Sequence, residues 1–194
     1  MAVLLVVGAY LLGTLPTAAV VARRTGHDPT TEGSGNPGAT NVYRTAGRRA
    51  GALVLAGDLV KGALAAGVGW LAGDHLLGLV CGAAAVAGHV LPATRRFRGG
   101  KGVATSGGVT LVLFPAVGVA AAVVWAVVAK VTRRASVASL VLAVGIPVAA
   151  AATGAPAVES ILLAVMGLVV LVRHADNIER LVRGTERPVE AGAP

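Results

Sequence analysis

The apolar residues of this chain come as long runs, broken by few charges, rather than as stripes of two or three. They extend approximately over residues 2–22, 50–72, 76–91, 103–131, 137–152 and 157–172. A hydrocarbon core of about 30 Å is crossed by roughly 20 apolar residues in a helix, and no other spanning element satisfies the backbone from within one segment. The composition agrees. Of the residues 55% are hydrophobic and 13% charged, against about a quarter charged in an ordinary soluble domain. The expected fold is an all-α polytopic membrane protein, with residues 1–194 as a single integral-membrane domain. No cationic segment precedes the first run, so it is expected to be the first membrane helix rather than a cleaved signal.

The run 103–131 is too long for one crossing. As a single helix of 29 residues it would extend about 43 Å. Pro115 lies inside it, and proline breaks or kinks a helix. Charge decides how it crosses. The 17 Lys and Arg residues fall in or beside 23–49, 61, 95–101, 130–134 and 173–187. One crossing would put the last two groups opposite the others; two crossings, turning near Pro115, put every cation on one face. The positive-inside rule selects the second arrangement. Seven transmembrane helices follow, with the N-terminus outside and the C-terminus cytoplasmic.

A net charge of +8 and a pI near 11.1 would suggest nucleic acid in a soluble protein. Here cytoplasmic loops account for the cations, and 3% aromatic residues supply few stacking platforms, so no nucleic acid partner is expected. Cys81 is the single cysteine and sits in an apolar run, as an inert core residue would. The spacing of His and Cys matches no zinc site, and neither a metal nor a cofactor is expected.

Four polar segments share the cationic face. In the first, Gly33–Arg44, Ser34, Asn36, Thr40 and Asn41 offer hydroxyls and amides, and Arg44 offers a fork suited to phosphate. The alternative is an Asn/Gly turn leading to a helix cap. The second, Gly99-Gly100-Lys101-Gly102, runs into a helix. Glycines let backbone N–H groups approach an anion, the helix N-terminus carries a partial positive charge, and Lys101 adds a full positive one. It is not a Walker loop, and a flexible positive-inside loop is the competing reading. The third contains Ser136 and Ser139 after Arg133 and Arg134. The fourth contains His174 and Asn177, three residues apart and on one face of a short helix.

Lys61 and Asp58 stand i, i+3 inside the second run. Ionisable groups at that depth usually face the protein interior; Lys61 is expected to reach a phosphate and Asp58 to be structural. His89 is expected to make a structural hydrogen bond, and His27 and His75 to be solvated.

Three signatures now stand together: S-G-N-P-G-A-T-N-V-Y-R at 34–44, G-H-x-x-P with F-R-G-G-K-G-V-A-T at 88–105, and R-H-x-x-N-I-x-R-L-x-x-G-x-E at 173–186. With D-x-x-K-G at 58–62 and T-R-x-x-S-x-x-S at 132–139, the chain resembles the PlsY family along essentially its whole length. The resemblance implies a seven-helix acyltransferase of the bacterial cytoplasmic (inner) membrane, multi-pass, with its active site facing the cytoplasm. It implies transfer of a fatty acyl group from acyl phosphate to the 1-hydroxyl of sn-glycerol 3-phosphate, giving lysophosphatidic acid and phosphate in the first step of phospholipid synthesis. It also implies the roles. Ser34, Arg44 and Lys101, with the amides of Gly99, Gly100 and Gly102, would hold acyl phosphate; Ser136, Lys61, His174 and Asn177 would position glycerol 3-phosphate. Asn36, Thr40 and Asn41 complete the expected substrate site. Membrane lipid and the upstream acyl-phosphate-forming enzyme are the further partners it implies.

The alternative is a small membrane transporter of a phosphorylated solute. Such a protein is expected to place polar sites near mid-membrane, often with internal repeats, whereas the polar residues here gather at one face.

Overall fold

The computed structural model describes residues 1–189, and every regular element among them is helical. In chain order these are α1 (Ala2–Gly13), α2 (Thr17–Arg23), α3 (Ala39–Ala72), α4 (His75–Val90), a 3-10 turn (Ala93–Arg95), α5 (Val103–Leu113), α6 (Pro115–Thr132), α7 (Ala135–Ala152), α8 (Ala157–Arg173) and α9 (Ala175–Val182). The helix break expected at Pro115 is present: α5 ends at Leu113 and Pro115 opens α6, where its missing N–H removes no intrahelical bond. Pro16 likewise separates α1 from α2, which together form one apolar stretch of 22 residues.

Five helical stretches are long and apolar enough to cross a membrane, and α8 with α9, bent by 58°, makes a sixth. The protein is therefore a multi-pass membrane protein. Helix α5 has 11 residues and spans about 16 Å, roughly half the hydrocarbon core, so helix length alone does not give the expected seventh crossing. The physical reason is that the polar loop before α5 takes residues from the crossing to build the site.

The first helix of the second run also begins earlier than its apolar residues suggest. Helix α3 starts at Ala39 and bends at Gly47, whose φ of 88° is left-handed. Thr40, Asn41 and Arg44 are therefore helical, ahead of the bend.

Small residues set the helix spacing. A Cβ on Gly62 would run into the carbonyl of Thr105, and one on Gly108 into the carbonyl of Leu59. The long helix α3 thus lies backbone to backbone on α5. Helix α1 meets α4 through Gly13 and Gly88 in the same way, and α7 meets α8 through Gly167. Lipid supplies no hydrophobic drive for helix association, so close backbone approach does. A core of Ala66, Leu79, Val86, Val109, Leu163 and Met166 joins α3, α4, α5 and α8, and Cys81 is buried among alanines.

At the end away from the cationic loops, His75 is only partly solvated and its ring is held by two partners. Its Nδ1 pairs with Glu159 at 2.9 Å and its Nε2 meets the Leu113 carbonyl at 2.9 Å, which ties the starts of α4 and α8 to the end of α5. His27 is exposed and pairs with Glu32 at 2.8 Å.

Candidate active site

The polar segments converge on a cavity of about 100 Å³ at the ends of α3, α5, α7 and α8. Sequence distance is bridged by the antiparallel packing of these helices, which returns their cationic ends to one place.

The loop before α3 is folded by Asn41. Its Oδ1 accepts from the Ser34 N–H at 2.8 Å, and its Nδ2 donates to the Pro29 and Glu32 carbonyls at 3.0 Å. Gly33 is required beneath it, since its φ is +63° and a Cβ there would strike the Asn41 side chain. Ser34, Asn36 and Thr40 line the cavity. Asn41 borders it too, with both of its Nδ2 protons committed to the loop. Arg44, one turn along α3 from Thr40, lines the cavity too and donates through Nε to the Pro188 carbonyl at 2.9 Å and through Nη2 to that of Arg187 at 3.0 Å.

The glycine loop is divided in its work. Lys101 and Gly102 line the cavity, followed by Val103 and Ala104 in the first turn of α5, where backbone N–H groups have no intrahelical acceptor. Gly102 is left-handed at φ 86° and begins that helix. Gly99 and Gly100 lie behind the wall. The Gly100 N–H donates to the His89 carbonyl at 3.1 Å, and the Gly99 and Gly100 carbonyls accept from Arg173 at 3.0 and 3.3 Å. The expected cradle of amides is thus shorter than the four-residue motif: two of the glycines fix the loop, and a Cβ on Gly100 would collide with the imidazole of His89.

Lys61 also stands behind the wall. Its ammonium lies 2.8 Å from Asp58 and 2.7 Å from His89 Nδ1, with Asp58, Lys61 and His89 only 2%, 3% and 5% exposed. Thr17 donates to the same Asp58 oxygen at 2.5 Å. The carboxylate and the imidazole, not the amine, border the cavity. Asp58 keeps the structural pairing expected of it, whereas Lys61, expected to reach a phosphate, is held inside that pairing. A buried ammonium this close to a carboxylate is held by it, because leaving either charge alone in the interior is costly.

The remaining wall comes from α7, α8 and α9. Ser136, His174 and Asn177 are all buried and line the cavity. His174 Nδ1 lies 2.8 Å from the Val170 carbonyl, so that nitrogen carries the proton and Nε2 is the free position. Asn177 accepts from Lys101 through its side-chain oxygen and donates through Nδ2 to Glu186 at 2.7 Å.

Glu186 carried no role in the sequence reading, because a carboxylate looks out of place in an anion site. It lines the cavity and accepts from Ser136 at 2.7 Å, from Asn177 at 2.7 Å and from Arg180 at 2.8 Å. Burial pushes its carboxyl up, but these hydrogen bonds and the Arg180 charge outweigh it and hold the group below its usual range. Gly184, left-handed at φ 70°, turns the chain after α9 so that residue 186 comes back to the site. The last letter of the third signature was the available signal. Burial, and then the nearby Arg180 charge, bring the Lys101 amine down to about 8. The ammonium is thus poorly solvated and would gain from an anion beside it.

A second cavity of about 360 Å³ opens from the first. Ala39, Thr40, Val103, Ala104 and Ser139 belong to both walls. Its other walls are almost wholly apolar and come from α3, α5, α6, α7 and α8. Helix α3 packs closely on α4 and α5, and α6 on α5 and α7, but α3 and α6 are not closely packed on each other. Leu55 of α3 and Ala122 of α6 line the groove and are exposed. Among the described residues, no group of three His, Cys, Asp or Glu side chains is placed to hold a metal ion.

A helical membrane protein with a cationic polar cavity joined to an apolar groove is built to handle a molecule with a charged head and a long tail. Known proteins place it further. Residues 3–184 match the family described as glycerol-3-phosphate acyltransferase, and the chain belongs to that family. It is 44% identical over 189 residues to the glycerol-3-phosphate acyltransferase of Rubrobacter xylanophilus, covering 95% of this chain and 94% of that one. It is 43% identical over 194 residues to that of Bordetella pertussis, covering 94% and 89%. Its fold is similar to crystal structures of PlsY, an integral membrane glycerol 3-phosphate acyltransferase. The glycerol 3-phosphate form superposes with a TM-score of 0.92 and the lysophosphatidic acid form with 0.90, each at 35% identity over 96% of this chain and 94% of that one.

Proposed function

We propose that the protein transfers a fatty acyl group from acyl phosphate to the 1-hydroxyl of sn-glycerol 3-phosphate, releasing inorganic phosphate and forming lysophosphatidic acid. The observation that carries this reading is the junction of the two cavities at Thr40, Ala104 and Ser139. A carbonyl placed there has polar, cationic surroundings on one side for a phosphate and an apolar groove on the other for its chain. The family supplies the acceptor, and the solved forms of the PlsY relative name glycerol 3-phosphate and lysophosphatidic acid.

The chemistry follows from the two phosphates. Ser34, Arg44, Lys101, Gly102 and the first-turn amides of α5 hold and polarise the acyl phosphate. Ser136, His174 and Asn177, oriented by Glu186, position glycerol 3-phosphate. The acceptor hydroxyl oxygen bonds to the acyl carbon, the bond from that carbon to the phosphate oxygen breaks, and phosphate leaves with the electron pair. The hydroxyl proton passes to a substrate phosphate oxygen. An acyl phosphate is already activated, so stabilising the departing charge matters more than forming a covalent acyl-enzyme. Asp58 and Lys61 act through His89, which supports the loop carrying Lys101.

In this reading the chain crosses the cytoplasmic membrane seven times, with α5 and its preceding loop as the shortened crossing. Its N-terminus is outside, and the site faces the cytoplasm with all the cationic ends. The acyl phosphate comes from an upstream acyl-phosphate-forming enzyme. Replacing Ser34 or Lys101 by Ala tests the roles: each should reduce acyl transfer by about a hundredfold or more in protein that still unfolds cooperatively. Parental rates in either variant would contradict the assignment.

A further inference from the structure

The turn between α4 and α5 holds its residues in a conformation that side chains rarely adopt. Arg96 and Phe97 are left-handed in succession, at φ of 51° and 60°. For a bulky residue that is an outlier, and it persists only where neighbouring contacts over-determine it. Here they do. The carbonyl of buried Pro92 accepts from the Arg95 N–H at 3.0 Å and from the Phe97 N–H at 2.9 Å, and the Arg95 carbonyl accepts from the Arg98 N–H at 3.0 Å. The Tyr10 hydroxyl donates to the Leu91 carbonyl at 2.8 Å and accepts from the Ala93 N–H at 3.0 Å, which staples the turn to α1. The result is a fixed loop with its aromatic ring turned outward. Phe97 is 61% exposed, and Arg96 and Arg98 on either side of it are exposed too.

The charge of this loop is not neutralised nearby. No Asp or Glu occurs between Asp74 and Glu159, and among the described residues Arg95, Arg96 and Arg98 join no ion pair. Arg95 leans inward, within electrostatic reach of Asp58. That carboxylate is already held by Lys61 and Thr17, and the Arg95 Nε is enclosed without an acceptor. The apolar stretch His75–Arg95 has 21 residues, or about 30 Å of helix, the thickness of a hydrocarbon core. The three arginines therefore leave the apolar layer at the level of the headgroups, on the cationic face. Phe97 and Leu91, both exposed, suit the apolar side of that boundary.

We infer that residues 93–98 form a binding site for an anionic phospholipid, its headgroup phosphate held by Arg95, Arg96 and Arg98 while Phe97 anchors the loop among the acyl chains. A headgroup diester supplies the acceptor that Arg95 lacks, and guanidinium forks match the geometry of phosphate. Lipid is favoured over an acidic protein segment because ring and charges sit at the end of a membrane span, where headgroups are the nearest anions. The site is separate from the polar cavity, whose walls include none of the three arginines, and it does not depend on the acyl-transfer reading. The loop runs directly into Gly99, Gly100 and Lys101, so a bound lipid steadies the segment that carries Lys101.

The test titrates the full-length protein in detergent with phosphatidylglycerol or phosphatidylcholine and counts bound lipid by native mass spectrometry. The parent should hold phosphatidylglycerol in preference to phosphatidylcholine. Neither glycerol 3-phosphate nor inorganic phosphate, at matched ionic strength, should displace it. Each arginine beside an anionic headgroup contributes about fivefold in affinity, so Arg95→Gln/Arg96→Gln/Arg98→Gln should weaken phosphatidylglycerol binding about a hundredfold. Arg96→Gln/Arg98→Gln changes only exposed side chains, so it folds even if the triple variant does not, and it should weaken binding about 25-fold. Arg48→Gln/Arg49→Gln/Arg183→Gln removes as much charge from other exposed positions and should stay within about twofold of the parent. Equal binding of the two lipids, or parental affinity in the loop variants, would overturn the inference and leave the loop to an acidic protein partner. An equal loss in the control variant would overturn it as a general effect of net charge. Displacement by glycerol 3-phosphate would overturn it by placing the lipid in the polar cavity, and displacement by phosphate would do so by showing a site for free anions.

Discussion

Asn177 turns its amide nitrogen to Glu186 Oε1 at 2.7 Å and its carbonyl oxygen to the Lys101 ammonium. The amide can satisfy both neighbours in one orientation only, because the carboxylate accepts and the ammonium donates. Asn177→Asp removes the donor and sets a second carboxylate against Glu186. Loss of one preorganised donor costs on the order of a hundredfold in rate, and the new repulsion adds to it. Steady-state kinetics should show at least that loss; a variant within tenfold of the parent would contradict the role.

Lys101 gives activity and stability opposite responses to alkali. Its pKa falls from 10.5 to about 8 on folding, so the charged form is present below that value and is lost as pH rises through it. The kcat/KM for acyl phosphate should therefore decline above about pH 8. Over the same interval, from about 8 to 10.5, the folded state has shed the proton and the unfolded state has not. Folding stability should then rise with pH. Profiles of rate and of unfolding temperature would check both limbs, and Lys101→Met should abolish each dependence.

The buried group of Asp58, Lys61 and His89 is predicted to be structural. Removing one partner of a buried ion pair costs about 3–5 kcal/mol, whereas replacing both by apolar or neutral groups is often tolerated. Lys61→Ala should lower the yield of folded protein and its unfolding temperature sharply. The double variant Asp58→Asn/Lys61→Met should recover most of that stability. If Lys61→Ala unfolds normally and loses only affinity for substrate, the ammonium contacts phosphate after all.

Gly62→Ala and Gly108→Ala test the backbone contact between α3 and α5. Alanine improves helix propensity by about 1 kcal/mol, yet both Cβ atoms would enter the facing helix backbone. Overpacking of this kind costs about 1–3 kcal/mol and here also displaces the start of α5 beside Lys101. Thermal unfolding in detergent should show both variants destabilised. Gly145→Ala, where a Cβ meets nothing within 4 Å, should be neutral or stabilising.

Much of the architecture was legible because the bilayer leaves few choices. Apolar runs identified the helices, and the shared sign of the loops placed a turn at Pro115. What the runs could not show was where polar sequence continues a helix, as in Ala39–Arg44, or where a helix stops short, as α5 does. Among site residues, Ser34, Arg44, Lys101, Ser136, His174 and Asn177 meet at one cavity. Lys61 was misplaced because its spacing from Asp58 puts both on one helix face without saying which residue borders the cavity. Gly99 and Gly100 read as anion-binding amides, but the Gly100 N–H donates to the His89 carbonyl and both glycine carbonyls accept from Arg173, 74 and 73 positions away. Glu186 was hidden by its sign: only the structure shows that it orients donors.

The most direct measurement is acyl transfer by the purified protein in lipid, supplied with glycerol 3-phosphate and palmitoyl phosphate. Lysophosphatidic acid and inorganic phosphate should appear in equal amounts, while palmitoyl-CoA in place of palmitoyl phosphate should give neither. Absence of both products with palmitoyl phosphate, in folded protein that binds glycerol 3-phosphate, would contradict the proposed reaction.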